Sequence, residues 1–299
     1  MKITNDLNLP MPLVKAIEAD PYDNLGSLSV TTLLRPPQAV ALARKHAAEI
    51  TEDASDRVWA LLGQIGHGII ERAAGSMDQE EWDTERRYHA NLFDENISGQ
   101  ADLVHKPSGT VYDFKFTSGW AVMNAMKEGK NEWRIQLSLL ALLARANGLT
   151  INRGKIIAIV RDWTPRVATR NRDWPQKGVV SLDMDIMSHA DTLEWLGCAV
   201  RSLQEALAGN PRPCTDEERW CKPGKWAVYK GSNVKAAKLA DSEDDLSGWI
   251  GLNQSKLGAT YRIEQRPTVF TRCDAYCNAA QYCLQYKNDR GGGNETAGE

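Results

Sequence analysis

Asp113 and Lys115 stand two residues apart in VYDFKFTS, with Phe114 between them. In an extended strand, side chains at i and i+2 share a face. The spacing therefore predicts a carboxylate and an ammonium side by side, with Tyr112, Phe114 and Phe116 turned the other way into a core. A second carboxylate, Asp102, lies in GQADLV, and PSG at 107–109 reads as the turn that folds 97–117 into a hairpin. Carboxylates that converge near strand ends repel, and each resists ionising without a cation nearby. Oxygen ligands of this kind suit Mg2+ or Mn2+. An ammonium beside them is placed to stabilise charge developing on a phosphoryl group, or to hold a hydroxide nucleophile. The plain alternative is an ordinary Asp–Lys pair on a solvated strand face.

The elements around this hairpin must position the rest. A helix is predicted from about 55 to 75, with apolar residues Trp59, Leu62, Ile65, Ile69 and Ile70 near the helical period. His67 and Glu71 lie i, i+4 on it and share a face. Gly63, Gly66 and Gly68 weaken that helix and predict a group packed or bound close to it. Strands are expected at 81–92, 97–106 and 110–117, and then a helix over 131–148 that carries Gln136. Further strands at 154–163 and 179–186 and a helix at 189–209 complete this part. Residues 1–27 read as irregular, LSVTTLLRPP (28–37) as a turn into a short helix, and 38–50 as helical. His89 and His105 read as ordinary strand residues.

Taken in order, these motifs resemble the PD-(D/E)XK nuclease superfamily, in its RecB-like branch, over about residues 28–165. GQIGH matches the branch's G-x-x-x-H, with Gly63 and His67 at its ends; GQAD matches G-x-x-D, ending in Asp102. Asp113 and Lys115 match D-x-K, and Gln136 matches the glutamine of the next helix. The family's tyrosine four residues after that glutamine is Leu140 here. The resemblance implies that His67, Asp102, Asp113 and the Phe114 carbonyl bind Mg2+ or Mn2+. It implies that Lys115 activates or positions the nucleophile, and that Gln136 orients Lys115 or a phosphate. Glu71 is assigned to the catalytic group beside Asp102 and Asp113, against the reading of a surface acid one turn away. Arg134, Thr117 and Ser118 are candidate DNA contacts; Thr117 and Ser118 equally suit the end of the strand.

Six cysteines are present, three of them close together: Cys273, Cys277 and Cys283 in RCDAYCNAAQYC. Three thiolates need one more ligand for a four-coordinate site. Cys214 is favoured over Cys221, because Pro213 and the following Thr-Asp-Glu-Glu suggest a fixed turn into a helix. Cys198, on an apolar helix, reads as a buried free thiol. Several RecB-like nucleases close an iron–sulfur cluster with C-x2-C-x5-C and one distant cysteine before the core. Here the first gap is longer by one residue and the distant cysteine follows the core. The resemblance thus implies a [4Fe-4S] cluster, with Zn2+ as the alternative.

Composition bounds the rest. The net charge is −3 over 299 residues, which excludes a uniformly basic nucleic-acid glove. Residues 121–180 nevertheless hold eleven Lys/Arg against four Asp/Glu, a local +7 suited to phosphates or to an ordinary solvated face. No apolar run reaches bilayer length, and the N-terminus lacks a signal pattern, so a cytoplasmic location is expected. The expected fold class is α/β: a PD-(D/E)XK restriction-endonuclease-like core, a central mixed β-sheet flanked by helices, with a small C-terminal cysteine-rich region. The expected divisions are 1–27, a core at 28–209, an accessory metal-holding region at 210–289 and a flexible tail at 290–299. The resemblance implies a metal-dependent deoxyribonuclease, an exonuclease serving recombination or end processing in a phage or bacterial setting. Its partners would be DNA and a single-strand annealing or recombination protein, with oligomers allowed. The alternatives are a structure-specific or nicking endonuclease, an inactive DNA-binding accessory and an RNA-directed enzyme.

Overall fold

The computed structural model describes residues 2–19, 28–258 and 260–291. The chain divides into two compact units, Met1–Arg212 and Pro213–Glu299. The first opens with β1 (Lys2–Thr4), α1 (Met11–Glu18), β2 (Leu28–Ser29), α2 (Val30–Leu33), α3 (Pro37–Lys45), β3 (Thr51–Asp53) and α4 (Val58–Ala74). It continues with β4 (Trp82–Leu92), β5 (Glu95–His105), β6 (Thr110–Thr117), α5 (Gly119–Glu128), α6 (Asn131–Ala146) and β7 (Arg153–Val160). It ends with α7 (Pro165–Arg170), β8 (Val179–Met184) and α8 (His189–Leu207).

The result is a mixed α/β fold built on a six-stranded sheet flanked by helices. The strand order is β2-β5-β6-β7-β8, with β4 also paired to β5. The β4–β5, β5–β6 and β7–β8 pairs are antiparallel, and β2–β5 and β6–β7 are parallel. Helix α6 is buried at almost every position from Trp133 to Ala144, because Leu and Ala fill its circumference rather than one stripe. It packs with Val111 and Ile156 of the sheet and with Leu196 and Val200 of α8 in one core. That burial makes α6 a rigid mount for Gln136. Leu140, where the resemblance places tyrosine, lies against Gly99 and is 2% exposed, so no hydroxyl is wanted there.

Several expectations need correction. The N-terminal segment is not wholly irregular: β1 pairs in parallel with β3, and α1 buries Val14 and Ile17. Residues 20–27 of it lie outside the described residues. The helix expected over 38–50 ends at Lys45, and the chain turns into β3. Helices α5 and α7 were not anticipated. Tyr112, Phe114 and Phe116 are half-buried; the tightly packed core holds Val111 and Ile156 instead. The apolar face of α4 is largely open to water, with Trp59, Leu62, Ile65 and Ile69 all exposed. Cys198 is exposed, not buried, and accepts a hydrogen bond from Arg201.

The second unit contains β9 (Cys221–Lys222), β10 (Lys225–Lys230), β11 (Lys238–Ala240), α9 (Glu243–Leu257) and β12 (Tyr261–Arg266). After these come β13 (Val269–Phe270), α10 (Thr271–Ala275) and α11 (Leu284–Gly291). Strands β11, β10 and β12 form an antiparallel sheet, and α9 packs Leu246, Ile250 and Leu257 on Val228 and Ala240. Ser242 caps α9, and Glu243, Asp244 and Asp245 fill its first turn, where the helix dipole favours negative charge. The expected tail at 290–299 begins as the end of α11; residues 292–299 lie outside the described residues.

Candidate active site

Strands β5 and β6 pair only from Leu103↔Tyr112 back to the turn. Beyond that point they separate and leave a mouth at the strand ends. There Asp102 Oδ2 accepts the Phe114 backbone N–H at 2.6 Å and takes over from the missing strand partner. The cleft has a volume of about 410 Å³, and His67, Glu85, Asp102, Asp113, Lys115 and Gln136 line it.

Two clusters share this cleft. In the first, His67 Nδ1 lies 3.4 Å from a Glu85 oxygen and 3.6 Å from an Asp102 oxygen. One ligand atom from each of the three residues falls within 4.8 Å of the others. In the second, Lys115 Nζ stands 2.7 Å from Asp113 Oδ2 and donates to Gln136 Oε1 at 2.8 Å. Gln136 Nε2 in turn donates to Asp113 Oδ1 at 2.7 Å. Asp113 and Lys115 do share a face of β6, and α6 closes the triangle from above.

Glu85 is the residue that sequence reasoning missed. It sits in β4 at φ 47°, in the left-handed region that a non-glycine residue adopts at some cost. The β4–β5 ladder runs Thr84↔Leu103 and Arg86↔Ala101, so Glu85 faces Asp102 across the strands. Gln100 donates to Glu85 Oε2 at 2.7 Å, and Arg87 donates to Gln100 at 3.0 Å, so the carboxylate is held in place. Glu71, by contrast, is exposed on α4 and stands outside the His67 cluster. One helical turn from His67 it shares a face only approximately, and its side chain faces water.

His67 itself is set by α4 packing. An added Cβ at Gly66 would fall 1.9 Å from the Phe116 ring, so glycine lets helix and strand approach closely. The Phe116 ring then meets the His67 imidazole edge-on, with centroids 5.7 Å apart. Of the other candidates, Ser118 caps α5 by accepting the Ala121 N–H, and the Thr117 carbonyl accepts the Arg161 N–H. Arg134 is exposed on the first turns of α6. His89 is exposed on β4, and His105 stacks on Trp82 at 4.2 Å, away from the cleft.

The electrostatics describe a site short of positive charge. Burial pushes the Asp102 carboxyl up to about 7, and the Asp113 carboxylate adds to the rise. The Glu85 carboxylate beside His67 raises the imidazole pKa against the opposing effect of burial, and Asp102 raises it further. His67 Nδ1 is buried without a well-directed hydrogen bond, and the buried Asp113 Oδ2 has the Lys115 ammonium 2.7 Å away but no well-directed hydrogen bond. These are the atoms and the charge imbalance that a divalent cation would satisfy, so the donor set fits Mg2+ or Mn2+.

A pH dependence follows for the chelated protein. Between pH 4 and 7 the folded state keeps an Asp102 proton that the unfolded chain has released, so stability falls as pH rises through that window. His67 has a raised folded pKa, so its contribution is present at low pH and is lost as pH rises through that value. The slopes have the same sign. Chelated protein should melt lower at pH 8 than at pH 5, and Mn2+ should raise the melting point more at pH 8. Asp102→Asn should flatten the slope; an unchanged slope in that variant would refute the assignment.

In the second unit, burial foremost pushes the Cys214 thiol up to about 12, with further contributions from Glu218 and from Cys283, Cys273 and Cys277. The Cys221 thiol is raised by burial and by Asp216. The Gln285 side chain clamps the Cys214 backbone, with hydrogen bonds of 2.9 Å to both its N–H and its carbonyl. None of the six cysteines is in a disulfide, and among the described residues no three sulfurs close to within 4.8 Å.

No protein-family model matches the chain, and no curated protein matches it. A solved structure described as "Crystal structure of SSO0001" is similar to it at 18% identity. That likeness covers 66% of this chain and 87% of the other, with a TM-score of 0.43. Among the described residues no helix is long and apolar enough to cross a membrane.

Proposed function

We propose that the chain is a divalent-metal-dependent DNA nuclease of the PD-(D/E)XK type, RecB-like branch, acting as an exonuclease in recombination or end processing. The observation that carries this reading is the pairing of two clusters in one cleft. A His–Glu–Asp set brings three ligand atoms within 4.8 Å of one another, and beside it a lysine is held by Asp113 and Gln136. Mg2+ or Mn2+ held by His67, Glu85 and Asp102, with Asp113 adjoining, would supply Lewis acidity toward a phosphoryl oxygen. Asp113 and Gln136 fix the Lys115 ammonium at the cleft wall. From there Lys115 donates to an attacking water or to a phosphate oxygen and offsets the charge that builds during displacement. Gln136 bonds both partners and so holds them in register.

The deciding assay is cleavage of end-labelled linear DNA against a closed circle, with Mg2+ or Mn2+ and with chelator. Metal-dependent loss of the linear substrate alone supports the exonuclease reading. Cutting of the circle replaces it with the endonuclease reading. DNA binding without cleavage removes the enzyme claim and leaves a binding accessory.

The same reading includes a [4Fe-4S] cluster on Cys214, Cys273, Cys277 and Cys283. A single zinc ion at 2.3 Å from four sulfurs needs them about 3.8 Å apart. Among the described residues no three of the sulfurs fall within 4.8 Å of one another, and a cluster whose cysteines bind separate irons accepts such spacing. Arg219 is buried, stacks on Phe270 and pairs with Asp289 of α11, which braces the same region. Cys214→Ser should lose iron, sulfide and visible absorbance, whereas Cys221→Ser keeps them. Equal loss in both variants would refute the ligand set, and one bound zinc in the wild type would refute the cluster.

A further inference from the structure

Two tryptophans stand in water on the helices before and after the β4–β6 strands. Trp59 on α4 is 59% exposed and Trp120 on α5 is 62% exposed. Both are held in place. The Arg161 guanidinium lies 4.1 Å over the Trp59 ring, and Trp120 meets Trp174 edge-on at 6.0 Å. Trp174 is itself buried and lies directly across Gly119, where a Cβ would fall 2.1 Å from its ring. Ordering an exposed indole this way brings little to folding, but it prepares a flat apolar face for a ligand at low entropic cost.

The two rings are tied to the end of β6. Arg161 donates its N–H to the Thr117 carbonyl at 3.0 Å, and Gly119 donates its N–H to Asp162 at 2.7 Å. Thr117 is two residues beyond Lys115, about 7 Å along an extended strand. The surface around them is basic. Arg166 and Arg170 lie i, i+4 on α7, which packs through Ala168 on Met123 and Trp174. Among the described residues neither arginine has a carboxylate partner, while Asp162 and Asp173 are already engaged by Gly119 and Lys127.

We propose that Trp59, Arg161, Trp120, Arg166 and Arg170 form a track for single-stranded nucleic acid leading to or from the cleft. Exposed rings together with arginines that have no carboxylate partner among the described residues suit the bases and phosphates of a single strand. The match is sequence-tolerant, since every base offers a stacking face. The proposal deepens the nuclease reading and rests on it for the direction of the track.

The test is anisotropy of a fluorescein-labelled oligo(dT) in chelator, so that binding is read without cleavage. Trp59→Ala and Trp120→Ala should each weaken binding about tenfold, the range of one lost base stack. Trp120→Phe should stay within about threefold. Arg166→Ala/Arg170→Ala should lower the slope of log K against log salt by about 1.4, for two lost phosphate contacts. Wild-type affinity in both tryptophan variants overturns the proposal, as does a wild type that ignores oligo(dT). So does a change of oligomeric mass in the variants with DNA binding intact, because the surface is then a self-contact. If Trp120→Ala fails to fold, the salt slope of the double arginine variant decides. Degradation of linear DNA with unaltered binding in the variants sinks the track alone; binding lost in the variants with no cleavage by wild type sinks the nuclease reading alone.

Discussion

Lys115→Ala should abolish metal-dependent cleavage of linear DNA, by about 10³-fold or more, while the protein stays folded in the presence of Mg2+. The size follows from where the ammonium sits. Charge on a phosphoryl group grows during displacement, and a fixed donor aimed at it is worth several kcal/mol there. Lys115 is such a donor, anchored by Asp113 at 2.7 Å and Gln136 at 2.8 Å. The same geometry predicts a cost to stability. Asp113 is 3% exposed, and removing its cation leaves a buried charge unpaired, which is strongly destabilising in general. A divalent ion in the cleft restores a positive neighbour. The variant should therefore melt well below wild type in chelator and recover most of the difference in Mg2+. Cleavage by folded Lys115→Ala within tenfold of wild type would remove Lys115 from the chemistry. Failure to recover on adding metal would instead argue that no cation binds beside Asp113. Gln136→Ala, which loosens the lysine without deleting it, should fall between the two in rate.

How much of this was legible in the sequence depends on the range of the interaction. The strand carrying Asp113 and Lys115, the helix carrying His67 and the helix carrying Gln136 are local patterns, and each occurs where periodicity places it. Glu85 was not legible. Its role depends on a backbone at φ 47° inside a strand and on its register opposite Asp102, and neither leaves a mark in EWDTERRYHANL. Glu71 was chosen by i, i+4 logic, which is true of the helix but silent on what lies across from it. The α4 stripe shows the same limit: the period of Trp59, Leu62 and Ile69 is helical, yet nothing in the period says that water covers the face. Cys198 has apolar sequence neighbours, Gly197, Ala199 and Val200, yet lies on the exposed stripe of α8 with Glu194, Arg201 and Glu205. Helix α7, however, carries a readable signal in the sequence: Thr164 caps it and Pro165 starts it.

Asp102→Asn and Glu85→Gln should each abolish or nearly abolish activity at low millimolar Mg2+, whereas Glu71→Gln should stay within about twofold of wild type. The contrast separates helix-face logic from the observed geometry. Asp102 and Glu85 each place an oxygen within 4.8 Å of the His67 nitrogen and of one another, and Glu71 places none there. Removing one of the two carboxylates beside His67 from a hard-cation site weakens the metal far more than removing an exposed acid one turn away. The two losses should differ in kind. Asp102 also accepts the Phe114 N–H where β5 and β6 separate, so Asp102→Asn disturbs the strand carrying Asp113 and Lys115 and should lower the maximal rate at saturating metal. Glu85 accepts a hydrogen bond from Gln100 and ties no strand backbone among the described residues, so Glu85→Gln should chiefly raise the Mg2+ concentration for half-maximal activity and be partly rescued by Mn2+. Metal titrations of all three variants, followed by calorimetry without DNA, read both effects apart from turnover. An inactive Glu71→Gln beside an active Glu85→Gln would reverse the ligand assignment and require α4 to rotate about its axis when metal binds.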